Sequence, residues 1–446
     1  MDDALTANAH CPRSLELQDR GKKIIPGLTQ LLSKRPDQFA PDVWPAYYSR
    51  AEGAYVWDLD GNRYLDMSIG GIGATVLGYA DPDVDDAVRG AISRGVACSL
   101  NCPEEIELAE LLCELHPWAE MVRLARTGGE ATTMAVRIAR AATGRDKVAI
   151  CGYHGWHDWY LAANLADDRT LDGHLLPGLR PAGVPRALKG TARAFAYNRL
   201  DQLQQIVSEI GSELAAIVME PIRSAEPQNG FLQEVRRIAS RTRAVLIFDE
   251  ISAGFRLTTG GAHLVLGVEP DVAVFSKAIA NGYAMAAVIG RRAVMEAAQD
   301  SFISSTMWTE SIGPSAALAT IYKFRRLNVA DHLVSLGRRV QQGWTEAAER
   351  NGLAIDVGGM RPMSHFVFED DLRQSMKAYL VQLMLQRGYL ASNAFYAMYA
   401  HTHQDVEQYL QAVDVCFAEV QLARRTGNLD RKMVGQPAAA GFGRLA

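Results

Sequence analysis

Four short stretches of this chain combine residue types that can do chemistry. Arg126-Thr127-Gly128-Gly129-Glu130 places two adjacent glycines ahead of a helix-like run. Glycines let the backbone approach an anion, and a helix N-terminus offers unpaired N–H groups and a favourable dipole. A phosphate fits there, and so does a plain strand-to-helix turn. The stretch lacks the lysine of a P-loop and the G-x-G-x-x-G spacing of a dinucleotide site. Phe248-Asp249-Glu250 ends an apolar run. A carboxylate at the end of a strand suits a ligand in an open α/β sheet, and equally a helix cap. Lys277 follows apolar Val272–Phe275 and precedes Ala278, Ile279 and Ala280. Such surroundings disfavour the ammonium charge, lower the pKa and make the amine a usable nucleophile. Tyr153-His154-Gly155-Trp156-His157-Asp158 carries aromatics that could stack on a flat ring. Its His-x-x-His-Asp pattern is a weak metal signal, because no third or fourth ligand is evident in sequence.

Taken together, these stretches supply a phosphate cup, a carboxylate, an aromatic plate and a desolvated lysine. Pyridoxal 5′-phosphate asks for that set. Its aldehyde needs a Schiff-base lysine, its ring nitrogen an acidic partner, its phosphate oriented N–H donors, and its ring a face to stack on.

Elements must bring these residues to one place. Met121–Ala125, Lys147–Cys151, Ala215–Met219, Ala244–Phe248, Val272–Phe275 and Met285–Ile289 read as strands. Glu104–His116, Gly129–Thr143, Leu200–Ile210 and Glu234–Arg243 read as helices by their apolar spacing. Apolar strands alternating with helices predict an α/β fold, with a mostly parallel sheet covered on both faces. Gly53–Asp66 alternates apolar and polar residues around Asp60-Gly61-Asn62, which predicts a hairpin. A strand at Ser364–Phe368 and helices at 372–388 and 405–424 predict a smaller α+β domain, with the hairpin packed beside it. The expected organisation is an N-terminal arm and hairpin over 1–69, a large domain over 70–325, a small domain over 326–426 and a loose tail over 427–446.

Composition narrows the classes. The chain has 446 residues, 48% hydrophobic and 22% charged, as in a globular protein. Its net charge of −5 offers no footprint for nucleic acid. No apolar run is long enough to span a bilayer, and the first residues are too polar for a secretory signal. Six scattered cysteines at 11, 98, 102, 113, 151 and 416 form no C-x-x-C pair. Isolated thiols in a reducing cytoplasm are the expectation, with no metal and no membrane.

The chain resembles the class III (subgroup II) aminotransferases of PLP fold type I, on the glutamate-1-semialdehyde 2,1-aminomutase-like branch. The resemblance runs from Ile25-Pro26-Gly27 to about 325, and more weakly to about 420. It rests on Gly53–Asp66, on Arg137–Lys147 and on Asp249-Glu-Ile-Ser-Ala-Gly-Phe-Arg256 in order. That fold implies a mostly parallel seven-stranded sheet between helices, with a small domain built from both ends of the chain.

Residue by residue, the resemblance implies that Lys277 forms the Schiff base and shuttles the Cα proton. Asp249 would pair with the pyridinium nitrogen. Ile251 and Tyr153 would cover the two ring faces. Gly128 and Gly129 would donate backbone N–H groups to the phosphate, with Thr127 in place of the usual serine. Thr306 would reach the phosphate of a neighbouring subunit, which implies a homodimer with shared active sites.

Several positions depart from the family pattern. The usual Ser-Gly-Thr-Glu-Ala cup is Thr127-Gly-Gly-Glu-Ala131 here, so one threonine hydroxyl is lost. The usual Gly-Thr-Leu-Ser-Gly-Asn-Pro stretch is Ser305-Thr-Met-Trp-Thr-Glu-Ser311. The aminomutase's Ser-Trp-Gly is Ser68-Ile69-Gly70. The expected activity is amino transfer from an amino-acid donor, L-glutamate foremost, to a carbonyl acceptor that is carbohydrate-related or a small keto compound. An intramolecular aminomutase is the alternative. A racemase, a decarboxylase, a non-catalytic PLP-fold protein and a Rossmann oxidoreductase rank lower. Arg223 and Arg256 are candidates to grip an acidic substrate, with structural ion pairing favoured for both.

Overall fold

The structure is a computed structural model that describes residues 11–174 and 177–443. The start of the expected arm and the last three residues of the expected tail lie outside the described residues. The chain divides into two compact units. One is Pro82–Asp331; the other joins Met1–Asp81 to His332–Ala446.

The larger unit is built on a sheet that has seven strands among the described residues. In chain order these are β1 (Met121–Ala125), β2 (Lys147–Cys151), β3 (Ala192–Ala194), β4 (Leu214–Met219), β5 (Val245–Asp249), β6 (Val272–Phe275) and β7 (Ala286–Gly290). Their order across the sheet is β1-β7-β6-β5-β4-β2-β3. Pairs β6/β5, β5/β4, β4/β2 and β2/β3 are parallel, whereas β7 runs antiparallel to both β1 and β6. Strand β1 therefore points the same way as β2 to β6. The short β3 is the strand that the sequence pattern does not signal.

Alternate residues of the strands enter two separate cores. Val245, Ile247, Val272 and Val274 join one face's core, with Val136, Ile138 and Ala139 of the Gly128–Thr143 helix. Leu246 and Phe248 join the other, with Val235 and Ile238 of the Phe231–Thr242 helix. Each large apolar side chain so buried stabilises the fold by roughly 1.5–3 kcal/mol. A sheet apolar on both faces has no room for polar side chains except at strand ends.

The second unit pairs segments from both ends of the chain. Tyr55–Asp58 and Arg63–Met67 form the expected hairpin, with Tyr48–Glu52 outside it and Tyr389–Ala391 parallel to Arg63–Met67. Asp58 holds the turn by accepting from the backbone N–H groups of Asp60 and Asn62. A second sheet contains Ile355–Gly358, Met363–Phe368 and Ala394–Tyr396.

Two boundaries differ from those read in the sequence. Residues 70–81 fall in this second unit. Gly53 and Tyr79 exchange backbone hydrogen bonds of 2.9 and 2.7 Å, and the Tyr79 hydroxyl donates to Asp66 at 2.5 Å. At the other boundary, Arg326 stays in the larger unit, paired with Asp83 at 2.7 Å. The tail expected to be loose is pinned through its described part. Leu429–Lys432 is helical, Leu429, Met433 and Ala438 are buried, and Val434 exchanges hydrogen bonds with the Gln382 amide.

One buried carboxylate holds the exit of β5. Glu250 is fully buried and accepts from the backbone N–H groups of Ala262 and His263 at 3.0 and 2.9 Å. It also accepts from His263 Nδ1 at 2.7 Å, and His263 Nε2 accepts from the Trp118 indole at 2.9 Å. Glu250→Ala should strand all three donors and cost about 3–5 kcal/mol in urea unfolding. Glu250→Gln, which keeps one acceptor, should lose less.

Candidate active site

Because β1, β2, β5 and β6 run in one direction, their carboxyl ends meet at one edge of the sheet. Ligands of open α/β sheets bind at that edge. There the structure forms a cavity of about 500 Å³. Thr127, Gly128, Gly129, Tyr153, Asp249, Ile251 and Lys277 all line it. These are the residues singled out from the sequence, delivered by the exits of the four strands. Thr306 is not among the lining residues; it opens a short 3-10 turn, Thr306–Thr309.

The cup begins the Gly128–Thr143 helix. Thr127 is its N-cap: the hydroxyl accepts from Glu130 N, while Thr127 N donates to Glu130 Oε2 at 3.0 Å, a capping box. The Thr127 hydroxyl also lies 3.0 Å from Glu130 Oε2 and donates to it. Gly128 and Gly129 keep first-turn N–H groups that have no partner within the helix. A Cβ on Gly128 would stand 2.7 Å from Ile251 Cδ1, so only glycine allows that approach. Helix and aromatic turn are tied together, since Thr132 Oγ1 donates to His154 O at 3.3 Å and Trp159 Nε1 to Thr133 Oγ1 at 3.1 Å.

Asp249 is buried at the end of β5. Its Oδ1 accepts from Ile251 N at 3.0 Å, and its Oδ2 lies 2.7 Å from His154 Nδ1. A carboxylate only accepts, so the proton of that contact sits on Nδ1. The His154 ring is itself held, stacked at 6.2 Å on Trp159. Asp249 is thus fixed in orientation and retains lone pairs for a further donor. His154 is the residue that sequence reasoning missed in this role. It stands 95 residues from Asp249, and only the adjacency of β2 and β5 across β4 joins them.

Lys277 lies two residues past the end of β6, after Ser276, with φ of 53°. A long side chain in that left-handed region costs about 1–2 kcal/mol, and such strain gathers at functional positions. Its Nζ donates to the Ser252 hydroxyl at 2.9 Å. The residue keeps some exposed area because it opens onto the cavity, but protein surrounds the amine. Burial pulls its pKa down to about 8; Arg223 and Arg256 push the same way, against Glu220 and Asp249. The two arginines considered as substrate grips are otherwise engaged. Arg223 pairs with Glu220 at 2.8 Å, and fully buried Arg256 donates from Nε to Ser252 O at 2.7 Å.

Known proteins resemble this chain in sequence and in fold. Residues 39–407 match the family Aminotransferase class-III. The chain belongs to the class-III aminotransferases. A 3-aminobutyryl-CoA aminotransferase of Cloacimonas acidaminovorans (strain Evry) is 34% identical over 92% of this chain and 97% of its own length. A 2′-deamino-2′-hydroxyneamine transaminase of Streptomyces kanamyceticus is 32% identical over 84% of this chain and 91% of its own. Among solved structures, the FumI protein of Sphingopyxis sp. MTA144, in its PLP internal-aldimine form, superposes with a TM-score of 0.84. It is 25% identical and covers 93% of this chain and 98% of that chain. An omega-transaminase from Sphaerobacter thermophilus gives a TM-score of 0.81 at 26% identity, covering 92% and 98%.

This class-III aminotransferase is a PLP-dependent enzyme of fold type I. The residues present fit the cofactor. They offer a desolvated amine, an oriented buried carboxylate, a helix N-terminus with unpaired N–H groups, and one buried ring nitrogen, Nδ1 of His157, without a hydrogen-bond partner among the described residues. In the apoprotein the Lys277 amine should titrate near pH 8. Capture of a small aldehyde should rise through that pH and level off above it, because only the unprotonated amine attacks. A midpoint at the ordinary lysine value of 10.5 would contradict the arrangement.

Proposed function

We propose that this aminotransferase moves an amino group from L-glutamate to a carbonyl acceptor that is carbohydrate-related or a small keto compound. The observation that carries the reading is the buried Lys277 amine in one cavity with the His154-oriented Asp249 carboxylate. When bound, pyridoxal phosphate supplies an aldehyde that takes up the amino group and a ring that spreads the charge left at the reacting carbon.

In this reading Lys277 would hold the cofactor, and its free Nζ would accept the Cα proton of the donor. The lowered pKa keeps a useful fraction of that amine neutral near physiological pH. The Asp249 carboxylate, steadied by His154, would pair with the ring nitrogen and keep it protonated. Tyr153 and Ile251, which line the cavity, would cover the ring faces and exclude water. Thr127 would shape the cup as the helix N-cap, and the backbone N–H groups of Gly128 and Gly129 would hold the phosphate. Thr306 reaches the phosphate of a neighbouring subunit, which makes the working form a homodimer with shared sites. Buried free thiols at Cys11, Cys151 and Cys416 suit a reducing cytoplasm. The acceptor class is supported by the Streptomyces relative, whose name specifies 2′-deamino-2′-hydroxyneamine.

The test is an absorption spectrum of the holoenzyme beside Lys277→Ala, before and after L-glutamate. A cofactor band lost in the variant is expected, together with bleaching by L-glutamate and release of stoichiometric 2-oxoglutarate. A Lys277-dependent band indifferent to L-glutamate, with glutamate 1-semialdehyde turned over, would replace the proposal with the aminomutase of the glutamate-1-semialdehyde branch.

A further inference from the structure

The phosphate cup is short of side-chain donors. Its backbone offers the N–H groups of Gly128 and Gly129, but the Thr127 hydroxyl donates to Glu130 within the capping box. Position 129 has no side chain at all. What occupies the space beside it is an imidazole: a Cβ on Gly129 would stand 2.6 Å from His157 Cε1 and 2.9 Å from Nδ1. His157 also lines the cavity. Its Nδ1 is buried without a hydrogen-bond partner among the described residues. A buried polar atom left unpaired costs about 1–3 kcal/mol, so a native structure that keeps one has a use for it. The ring is held in place by Trp156, stacked on it at 4.4 Å and 22°. Trp156 is otherwise 71% exposed.

We infer that His157 is a phosphate ligand, its imidazole donating an N–H to the cofactor phosphate in the space that a side chain at position 129 would fill. The inference rests on the assignment of Thr127-Gly128-Gly129 as the phosphate cup. Glycine at 129 and histidine at 157 are then one device, in which the missing side chain admits the ring. Burial favours the neutral imidazole, against the pull of Glu130 and Asp158. A neutral ring still carries one N–H, and the tautomer that puts it on Nδ1 gives that buried, unpartnered nitrogen a proton to donate. A donor aimed at a phosphate makes a charge-assisted bond about twice as strong as a neutral one. Trp156 covers the ring and limits competition from water.

The experiment compares two ligands that differ by the phosphate alone. Pyridoxamine 5′-phosphate and pyridoxamine are titrated into the apoprotein, followed by tryptophan fluorescence and equilibrium dialysis. His157→Ala should weaken pyridoxamine 5′-phosphate binding roughly ten-fold or more and leave pyridoxamine binding unchanged. His157→Gln, which keeps an N–H, should lose less. Gly129→Thr alone should lose affinity because its Cβ meets the ring, whereas Gly129→Thr with His157→Ala should regain it through the new hydroxyl. Unchanged pyridoxamine 5′-phosphate affinity in His157→Ala would overturn the inference, and so would an equal loss for both ligands, which marks a structural role. The double variant binding no better than either single variant would overturn the pairing of 129 with 157. If the wild-type protein shows no preference for the phosphorylated ligand, the cup assignment fails first and the inference with it.

Discussion

Both faces of the large sheet are apolar, and the placement of every reactive group follows from that constraint. Side chains alternate between two cores, so Val245 and Leu246, or Ile247 and Phe248, are consumed by packing. In β2 and β4 to β7 polar side chains stand only at the strand ends. Since β1, β2, β5 and β6 share a direction, their stops coincide, and the cup, the aromatic turn, the carboxylate and the lysine come to one edge. Antiparallel β7 lets β1 join this set by restoring its direction across one intervening strand.

Within the edge, electrostatics is arranged by burial rather than by exposed pairing. The amine of Lys277 is uncharged more readily than a surface lysine because protein replaces water around it, and two arginines oppose a third positive charge. Glu220 and Asp249 prevent the shift from going further. Its left-handed backbone shows that the surrounding packing holds the residue in place despite local preference. Neighbouring carboxylates play separate parts. Asp249 faces the cavity, while Glu250, one residue on, is spent on backbone donors and His263 and keeps the loop beyond β5 in shape.

Glycines at the cup work by what they admit. At 128 the absent side chain admits Ile251, and at 129 it admits His157. The first helical turn is therefore packed against residues from two other strand exits, Asp249–Ile251 and Tyr153–His157. The two glycines and the residues they admit line one cavity through the same close approach. This links local conformation to binding without any exposed basic cluster.

Much of this was legible in the residues themselves. Short, mostly continuous apolar runs marked β1, β2 and β4 to β7, and apolar spacing marked the helices between them, because burial on two faces or on one leaves a local pattern in the sequence. The residue types at the strand exits of 127–129, 153, 249 and 277 carried the cofactor chemistry. What the sequence by itself determined was therefore the sheet class, the cofactor and most of the side chains that line the cavity, since each depends on residue type and near neighbours. The tertiary structure alone decided the partnerships. His154 meets Asp249 across 95 residues, Arg223 is claimed by Glu220, and His157 fills the space beside Gly129. Contacts between distant segments also tied residues 70–81 to the hairpin and pinned the C-terminal stretch. Such contacts depend on where distant segments meet in space, and a one-dimensional pattern holds no record of that distance.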